Sequence, residues 1–131
     1  MKYTVSVNGT EIDIDELEFG VLGGSPEGNI DLYVHITDNE EDIYTGEKKK
    51  NLWTEWLNAC CEDKNNPKER IRKIEAKVLG GGKDDQPYRT IVIENGYLAS
   101  FVETSGGTSY SYEATLKRAP RKKGEVSVKA G

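Results

Sequence analysis

The clearest hydrophobic pattern lies in residues 109–118, where apolar and polar side chains alternate. The apolar positions are Tyr110, Tyr112, Ala114 and Leu116. Successive side chains of a β-strand point to opposite faces of the sheet, so this alternation predicts a strand with one buried face. The same period of two predicts another strand over residues 2–7.

Asn-Gly pairs occur at positions 8–9, after the first alternating run, and at 95–96, between the apolar residues 91–93 and 97–98. Such a pair suits a type I′ hairpin turn, because both central residues of that turn need positive φ. We therefore predict tight turns at both pairs. The second turn makes residues 77–118 a β-meander around which the rest of the chain is organised.

Residues 11–19 also alternate between apolar and polar side chains. This alternation changes phase at Asp15 and Glu16, which predicts a bulge or a strand break there. Residues 20–29 contain four glycines and Pro26 and predict a loop. Residues 30–36 predict a further strand, and residues 38–50 predict an exposed loop that is acidic at first and basic at its end.

A helix is predicted over residues 51–62, because apolar residues recur there at i, i+3, i+4 and i+7. The predicted buried face consists of Trp53, Trp56, Leu57 and Cys60. Asn51 is the expected N-cap. The helix is predicted to begin after Lys48, Lys49 and Lys50, since cations are unfavourable near the positive end of a helix.

Residues 67–79 fit two patterns. Pro67 at a first helical position, followed by Ile71, Ile74 and Val78 at helical intervals, favours a helix. Alternation of Ile74, Ala76 and Val78 with charged residues favours a strand. Local propensity alone favours the helix.

The 131 residues predict one domain, and the net charge of −5 argues against nucleic acid as the primary partner. The charge is unevenly distributed. No Lys or Arg occurs over residues 3–47, whereas residues 117–131 carry six basic residues and one acidic residue. We expect a domain over residues 1–118 and a flexible basic tail over residues 119–131.

Catalytic chemistry finds little support in the sequence. Cys60 and Cys61 are neighbours that cannot bridge each other on a helix, which favours packing in a reducing compartment over metal binding. His35, the single histidine, falls within a predicted strand. We predict no catalytic, cofactor-binding or metal-binding residues. No apolar run approaches the length of about 18 residues expected of a membrane span.

Three short motifs follow one another along the chain: EFG at 18–20, LNACC at 57–61 and GGGKDDQPY at 80–88. Together they resemble the haemolysin-coregulated protein family, which forms the tube of type VI secretion systems. That family has a similar Leu-x-Ala-Cys-Cys helix end and a similar turn before a strand pair. The resemblance extends over roughly residues 10–118, and residues 38–50 look like an insertion.

The resemblance implies a mainly β fold, an antiparallel two-sheet β-barrel with one flanking helix, in which residues 71–79 form a strand. It implies a non-enzymatic subunit of the inner tube of a contractile injection machine. Hexameric rings would stack into a hollow tube that contacts sheath, spike and baseplate proteins and that could carry effector cargo. Assembly would take place in the cytoplasm, with secretion on firing. The resemblance leaves open which contractile machine is meant: a type VI system, a phage tail, a related extracellular injection device or a divergent tube paralogue.

Opposite charges on the two ends of a ring would favour stacking, so we expect acidic and basic segments to contribute. The predicted stacking residues are Asp38, Glu40, Glu41, Asp42, Tyr44, Arg121, Lys122 and Lys123. The alternative function is a small β-barrel binding or adaptor module without enzymatic activity.

Overall fold

The computed structural model describes residues 1–22, 31–40, 47–61, 69–80, 86–106, 109–119 and 126–131. Within these ranges, eight β-strands and one α-helix follow one another. The elements are β1 (Lys2–Val7), β2 (Thr10–Ile14), β3 (Glu16–Leu22), β4 (Asp31–Glu40), α1 (Glu47–Cys61), β5 (Arg72–Leu79), β6 (Pro87–Gly106), β7 (Ser109–Arg118) and β8 (Val126–Lys129).

All strand pairs are antiparallel, in the order β2-β1-β5-β6-β7-β4-β3, and β8 pairs with β6. The 20-residue strand β6 joins two halves of the sheet. Its first part pairs with β5 and β8, and its second part pairs with β7. Only Asp15 separates β2 from β3, the two ends of this order, so the ladder must curl back on itself. This confirms the predicted antiparallel β fold with one helix.

The two Asn-Gly pairs have different structures. Asn8 and Gly9 adopt φ values of 49° and 89° and form the predicted hairpin between β1 and β2. The hairpin predicted at positions 95–96 is wrong, because β6 runs through it without interruption. Gly96 pairs with β5 on one side and β7 on the other, and a Cβ there would collide with the side chain of Ile74. This glycine permits close packing where the two halves meet.

The other strand predictions are largely confirmed. Strands form over the alternating residues at both ends of the domain, and β2 gives way to β3 at the predicted phase change. Residues 72–79 form β5 despite their local preference for a helix. Pairing with both β1 and β6 buries Ile74 and Ala76 completely, which decides in favour of the strand.

The predicted start of the helix is wrong. Helix α1 begins at Glu47, so the three lysines lie inside it and Asn51 is not its N-cap. The buried face also differs from the prediction, since Cys60 is exposed and Leu57 is only half-buried. The residues that α1 buries are Leu52, Trp53, Trp56 and Ala59.

The C-terminal residues do not all form a flexible tail. Strand β8 pairs with β6 from Ile93–Val126 to Thr90–Lys129, and the Ala119 amide donates a hydrogen bond of 2.8 Å to the Asn95 carbonyl. A domain boundary after residue 118 is therefore wrong for residues 126–129. Residues 120–125, which contain Arg121, Lys122 and Lys123, lie outside the described residues.

The core fills the space between the two halves and α1. The buried strand residues are mostly aliphatic and include Val5, Val34, Ile36, Ile74, Ile91, Ile93 and Leu116. From α1, Trp53 packs against Phe101 and Tyr112, with ring centroids 5.5 and 5.4 Å away. Trp56 is fully buried, and its indole Nε1 donates to the Arg70 carbonyl at 3.1 Å. The helix thus closes the core with two indole rings.

Candidate assembly surfaces

The predicted stacking residues are only partly described. Asp38 and Glu40 belong to β4 and not to an exposed loop, so the loop prediction is wrong for these positions. The remaining six lie outside the described residues: Glu41, Asp42, Tyr44, Arg121, Lys122 and Lys123. A stacking role for this set therefore stays a prediction.

Asp38 lies inside the protomer, where its side chain is only 1% exposed. Its Oδ2 accepts hydrogen bonds from Lys49 Nζ at 3.0 Å and from the Tyr112 hydroxyl at 2.9 Å. Its Oδ1 and the Trp53 indole nitrogen are buried and have no hydrogen-bond partner among the described residues. This cluster joins the first turns of α1 to β4 and β7, so its evident role is to hold the helix in place.

Burial governs the protonation of this cluster. Removal from water raises the pKa of Asp38, and the opposing effects of Lys49 and Tyr112 only partly compensate. Burial, followed by the neighbouring Asp38 carboxylate, raises the pKa of Tyr112. Tyr112 therefore keeps its proton at neutral pH and acts as the hydrogen-bond donor to Asp38.

His35 lies on the opposite face of β4, as expected for a histidine whose hydrogen bonds are satisfied within a strand. Its Nδ1 is 2.8 Å from Thr115 Oγ1, and its Nε2 is 3.4 Å from Glu113 Oε1. Both ring nitrogens of His35 are thus in contact with side chains of β7. Among the described residues, no group of three or more His, Cys, Asp or Glu side chains is placed to hold a metal ion.

An open groove of about 770 Å³ lies between α1 and the β1–β2 hairpin. Its lining is largely polar and includes Asn8, Thr10, Asn51, Glu55, Asn58 and Arg72. The Arg72 guanidinium is already engaged, because it stacks 5.6 Å from the Trp56 ring centroid and donates through Nε to the Glu69 carbonyl. In the ranges that the structure describes, no helix is long and apolar enough to cross a membrane.

The sequence did not indicate which strands would form the edges of the sheet. Within the described ladder, β2, β3 and β8 each pair with one strand only, so one edge of each faces away from the sheet. Unpaired edges present backbone N–H and C=O groups to another chain. The alternation of Val126 and Val128 with Ser127 and Lys129 was the available signal for β8, but the basic composition favoured a tail.

No protein-family model matches the sequence, and no curated protein matches it significantly. Solved structures do match. A chain in the PVC sheath–tube complex of an extracellular contractile injection system, in its extended state, is 15% identical with a TM-score of 0.59, over 98% of this chain and 88% of that one. Hcp1 from Flavobacterium johnsoniae is 9% identical with a TM-score of 0.60, over 100% of this chain and 97% of that one.

A type VI secretion system effector from Yersinia pestis is 10% identical with a TM-score of 0.52, over 97% of this chain and 96% of that chain. At such identities the likeness is one of fold, and it covers nearly the whole of each chain. The resemblance seen in the sequence motifs is thus confirmed at the level of structure: this chain has the fold of Hcp proteins and of a chain in a contractile-injection sheath–tube complex.

Proposed function

We propose that this protein is the structural subunit of the inner tube of a contractile injection machine. The observation that carries the proposal is the match of almost the whole chain to Hcp1 and to a chain of an extracellular sheath–tube complex. In this proposal, six copies form a ring, and rings stack into a hollow tube. The protein acts by assembly, and we expect no catalysis.

The sheet edges support self-assembly. A strand edge that faces away from its own sheet can extend into the sheet of a neighbouring copy. When two different edges of identical copies meet, each contact repeats with the same rotation, and a suitable rotation closes the assembly into a ring. A chain with several such edges is therefore suited to cyclic assembly.

The core argues against one form of the alternative binding module, a barrel that holds a ligand in its interior. The described residues between the two halves of this sheet form a buried cluster of aliphatic side chains and two tryptophans. The open groove between α1 and the β1–β2 hairpin lies outside this interior.

We further propose that rings stack through the acidic residues near the end of β4 and the basic segment between β7 and β8. The sequence supplies opposite charges for this contact at Glu40, Glu41 and Asp42, and at Arg121, Lys122 and Lys123. Asp38 is left out of this surface because its own protomer buries it. In the machine, the stacked tube would contact sheath, spike and baseplate proteins and could hold effector cargo.

The fold match extends to an extracellular contractile injection system, which supports a place in a secreted particle. We propose that the tube assembles in the cytoplasm and leaves the cell when the machine fires. The same fold serves type VI systems and extracellular injection systems, so either kind of machine, or a phage tail, would accommodate this subunit.

Negative-stain electron microscopy of the purified protein tests the proposed function. Rings with a central pore, alone or in short stacks, are the expected result. A monomer that persists at millimolar concentration would overturn the proposal and favour a binding or adaptor module.

The stacking contact has its own test. Reversing the charges of Arg121, Lys122 and Lys123 to Glu should shorten the tubes and leave single rings intact. A matched reversal of Lys2, Lys73 and Lys77, on the outward face of β1 and β5, should leave tube length unchanged. Equal tube lengths in the wild type and the first variant would contradict the stacking assignment.

A further inference from the structure

The unpaired edges of β2, β3 and β8 differ in how well the protomer covers their apolar residues. On β2, the core-facing residues Ile12 and Ile14 are only 3% and 6% exposed. This strand buries its apolar face within its own protomer. An additional partner would gain little apolar contact there.

Strand β3 is covered less completely. Leu17 and Phe19 pack against the core but remain partly exposed, and Val21, two positions further in the same phase, is 53% exposed. Two outward-facing residues of this strand, Glu16 and Glu18, are acidic and exposed. The edge therefore combines uncovered core-facing apolar residues with negative charge.

Strand β8 shows the same incomplete burial with the opposite charge. Val126 packs against the core, while Val128, on the same face, is 40% exposed. The outward-facing residues Ser127 and Lys129 are exposed. Because Val126 and Val128 lie opposite Ile93 and Ile91 of β6, their side chains extend the apolar layer of the core to this edge.

We propose that β8 of one copy adds to β3 of a neighbouring copy, so that the two sheets become continuous across the contact. The occupant of each edge is thus a second copy of this chain. In this arrangement the valines of β8 and the core-facing Leu17 and Phe19 of β3 continue one apolar layer between the two protomers, and Lys129 faces Glu16 or Glu18 on the outward side.

Both the apolar and the charged side of the contact support this pairing of edges. The apolar residues left uncovered on one edge match those left uncovered on the other, and the charges are opposite. Two copies of β3 would oppose their own glutamates, which disfavours a symmetric contact between identical edges. The β3–β8 contact joins two different edges, which is the type of interface that closes a ring.

This inference rests on the proposed function and specifies which edges form the ring. Backbone pairing over the four residues of β8 would supply only part of a stable interface, since specific interfaces bury about 1,200–2,000 Å² in total. Its distinctive consequence is the proximity of two defined strands from different copies.

Disulfide crosslinking tests that proximity. In a Cys60→Ser, Cys61→Ser background, Ser127→Cys is combined with Glu16→Cys or with Glu18→Cys. Directly opposed residues of paired strands have Cβ atoms about 4.5–5.5 Å apart, close to the spacing that a disulfide needs. After mild oxidation with diamide, we expect at least one of the two pairs to give a ladder of covalent oligomers up to the size of the ring.

Two controls define the outcome. Ser127→Cys combined with Glu11→Cys, an exposed position on β2, should give no ladder, and each single cysteine variant should give at most dimers. Two outcomes would overturn this edge assignment without contradicting the tube function. In the first, electron microscopy shows rings but neither β3 cysteine pair gives a ladder. In the second, it shows rings and the β2 pair gives an equal ladder. A failure to form rings, together with no ladder, would overturn both.

Discussion

The two faces of β4 and β7 carry polar contacts in opposite surroundings. On the core face, Asp38 accepts hydrogen bonds from Tyr112 and Lys49 with almost no access to water. On the outward face, three residues further back along β4, His35 contacts Thr115 and Glu113 in partial contact with solvent. Both sets join the same two strands, but only the first set also holds a helix.

This difference shows where polar contacts determine the fold. A buried carboxylate that loses its partners keeps its desolvation cost, so each partner of Asp38 matters for stability. Solvent can replace the partners of His35, so those contacts contribute little. The three lysines lie inside α1, and pairing of Lys49 with Asp38 offsets part of the unfavourable position of cations at the helix start.

The largest effect is expected from Lys49→Met, which leaves the buried Asp38 without its cation. Breaking a buried ion pair costs about 3 kcal/mol, so the free energy of unfolding should fall by about that amount in urea denaturation. Lys50→Met, at an exposed position on the same turn, should change it by less than about 0.5 kcal/mol. Equal effects of the two substitutions would contradict the role of the buried pair.

A smaller loss is expected from Tyr112→Phe, which removes one hydrogen bond to Asp38 and keeps the aromatic ring. The free energy of unfolding should fall by about 2 kcal/mol, the cost of losing a buried hydrogen bond to a charged group. Tyr110→Phe is the control. The Tyr110 hydroxyl donates a hydrogen bond of 2.7 Å to Glu103 Oε1 at an exposed site. A loss in the control as large as in Tyr112→Phe would show that burial does not set the difference.

The pH dependence of stability should also reveal Asp38. Burial raises its pKa above the usual 3.8, so between that value and the raised pKa the folded protein binds more protons than the unfolded chain. The contribution of Asp38 to stability is thus complete at low pH and declines as pH rises through the folded-state pKa. Relative to Asp38→Asn, the wild type should lose stability from about pH 4 toward neutral pH, as measured by urea denaturation. A relative gain over that range would contradict the raised pKa.

The smallest effect is expected on the outward face. His35→Gln should change the free energy of unfolding by less than about 1 kcal/mol, because its hydrogen-bond partners are accessible to water. Chemical denaturation at neutral pH measures this effect directly. A loss as large as that of Tyr112→Phe would remove the distinction between the two faces.

Most strands were predictable because alternation and turn chemistry are local properties. The alternation of β7 and the hairpin at Asn8 and Gly9 are examples. The failures arose where a distant residue decided the structure. Ile74 packs closely against Gly96 within a continuous strand, and Lys49 pairs with Asp38 from inside the helix. Neither contact can be seen in the local sequence.

The assembly surfaces were less predictable than the fold. The contrast between β2 and β3 depends on how completely each edge is covered, although both strands alternate polar and apolar residues. Strand β8 was not predicted, because the basic composition of residues 119–131 favoured a flexible tail. Charge composition indicates solubility and interaction partners, and it does not indicate whether a segment pairs with another strand. The short motifs indicated the fold because they follow one another in a family-like order, even though the overall identity to solved structures is low.

Native mass spectrometry over a range of protein concentrations tests most directly whether identical copies close into a ring. The account predicts one dominant oligomer of six chains, with few intermediates because a closed ring satisfies both edges of every copy. A single species at the 14.6 kDa mass of one chain, at every concentration, would contradict it.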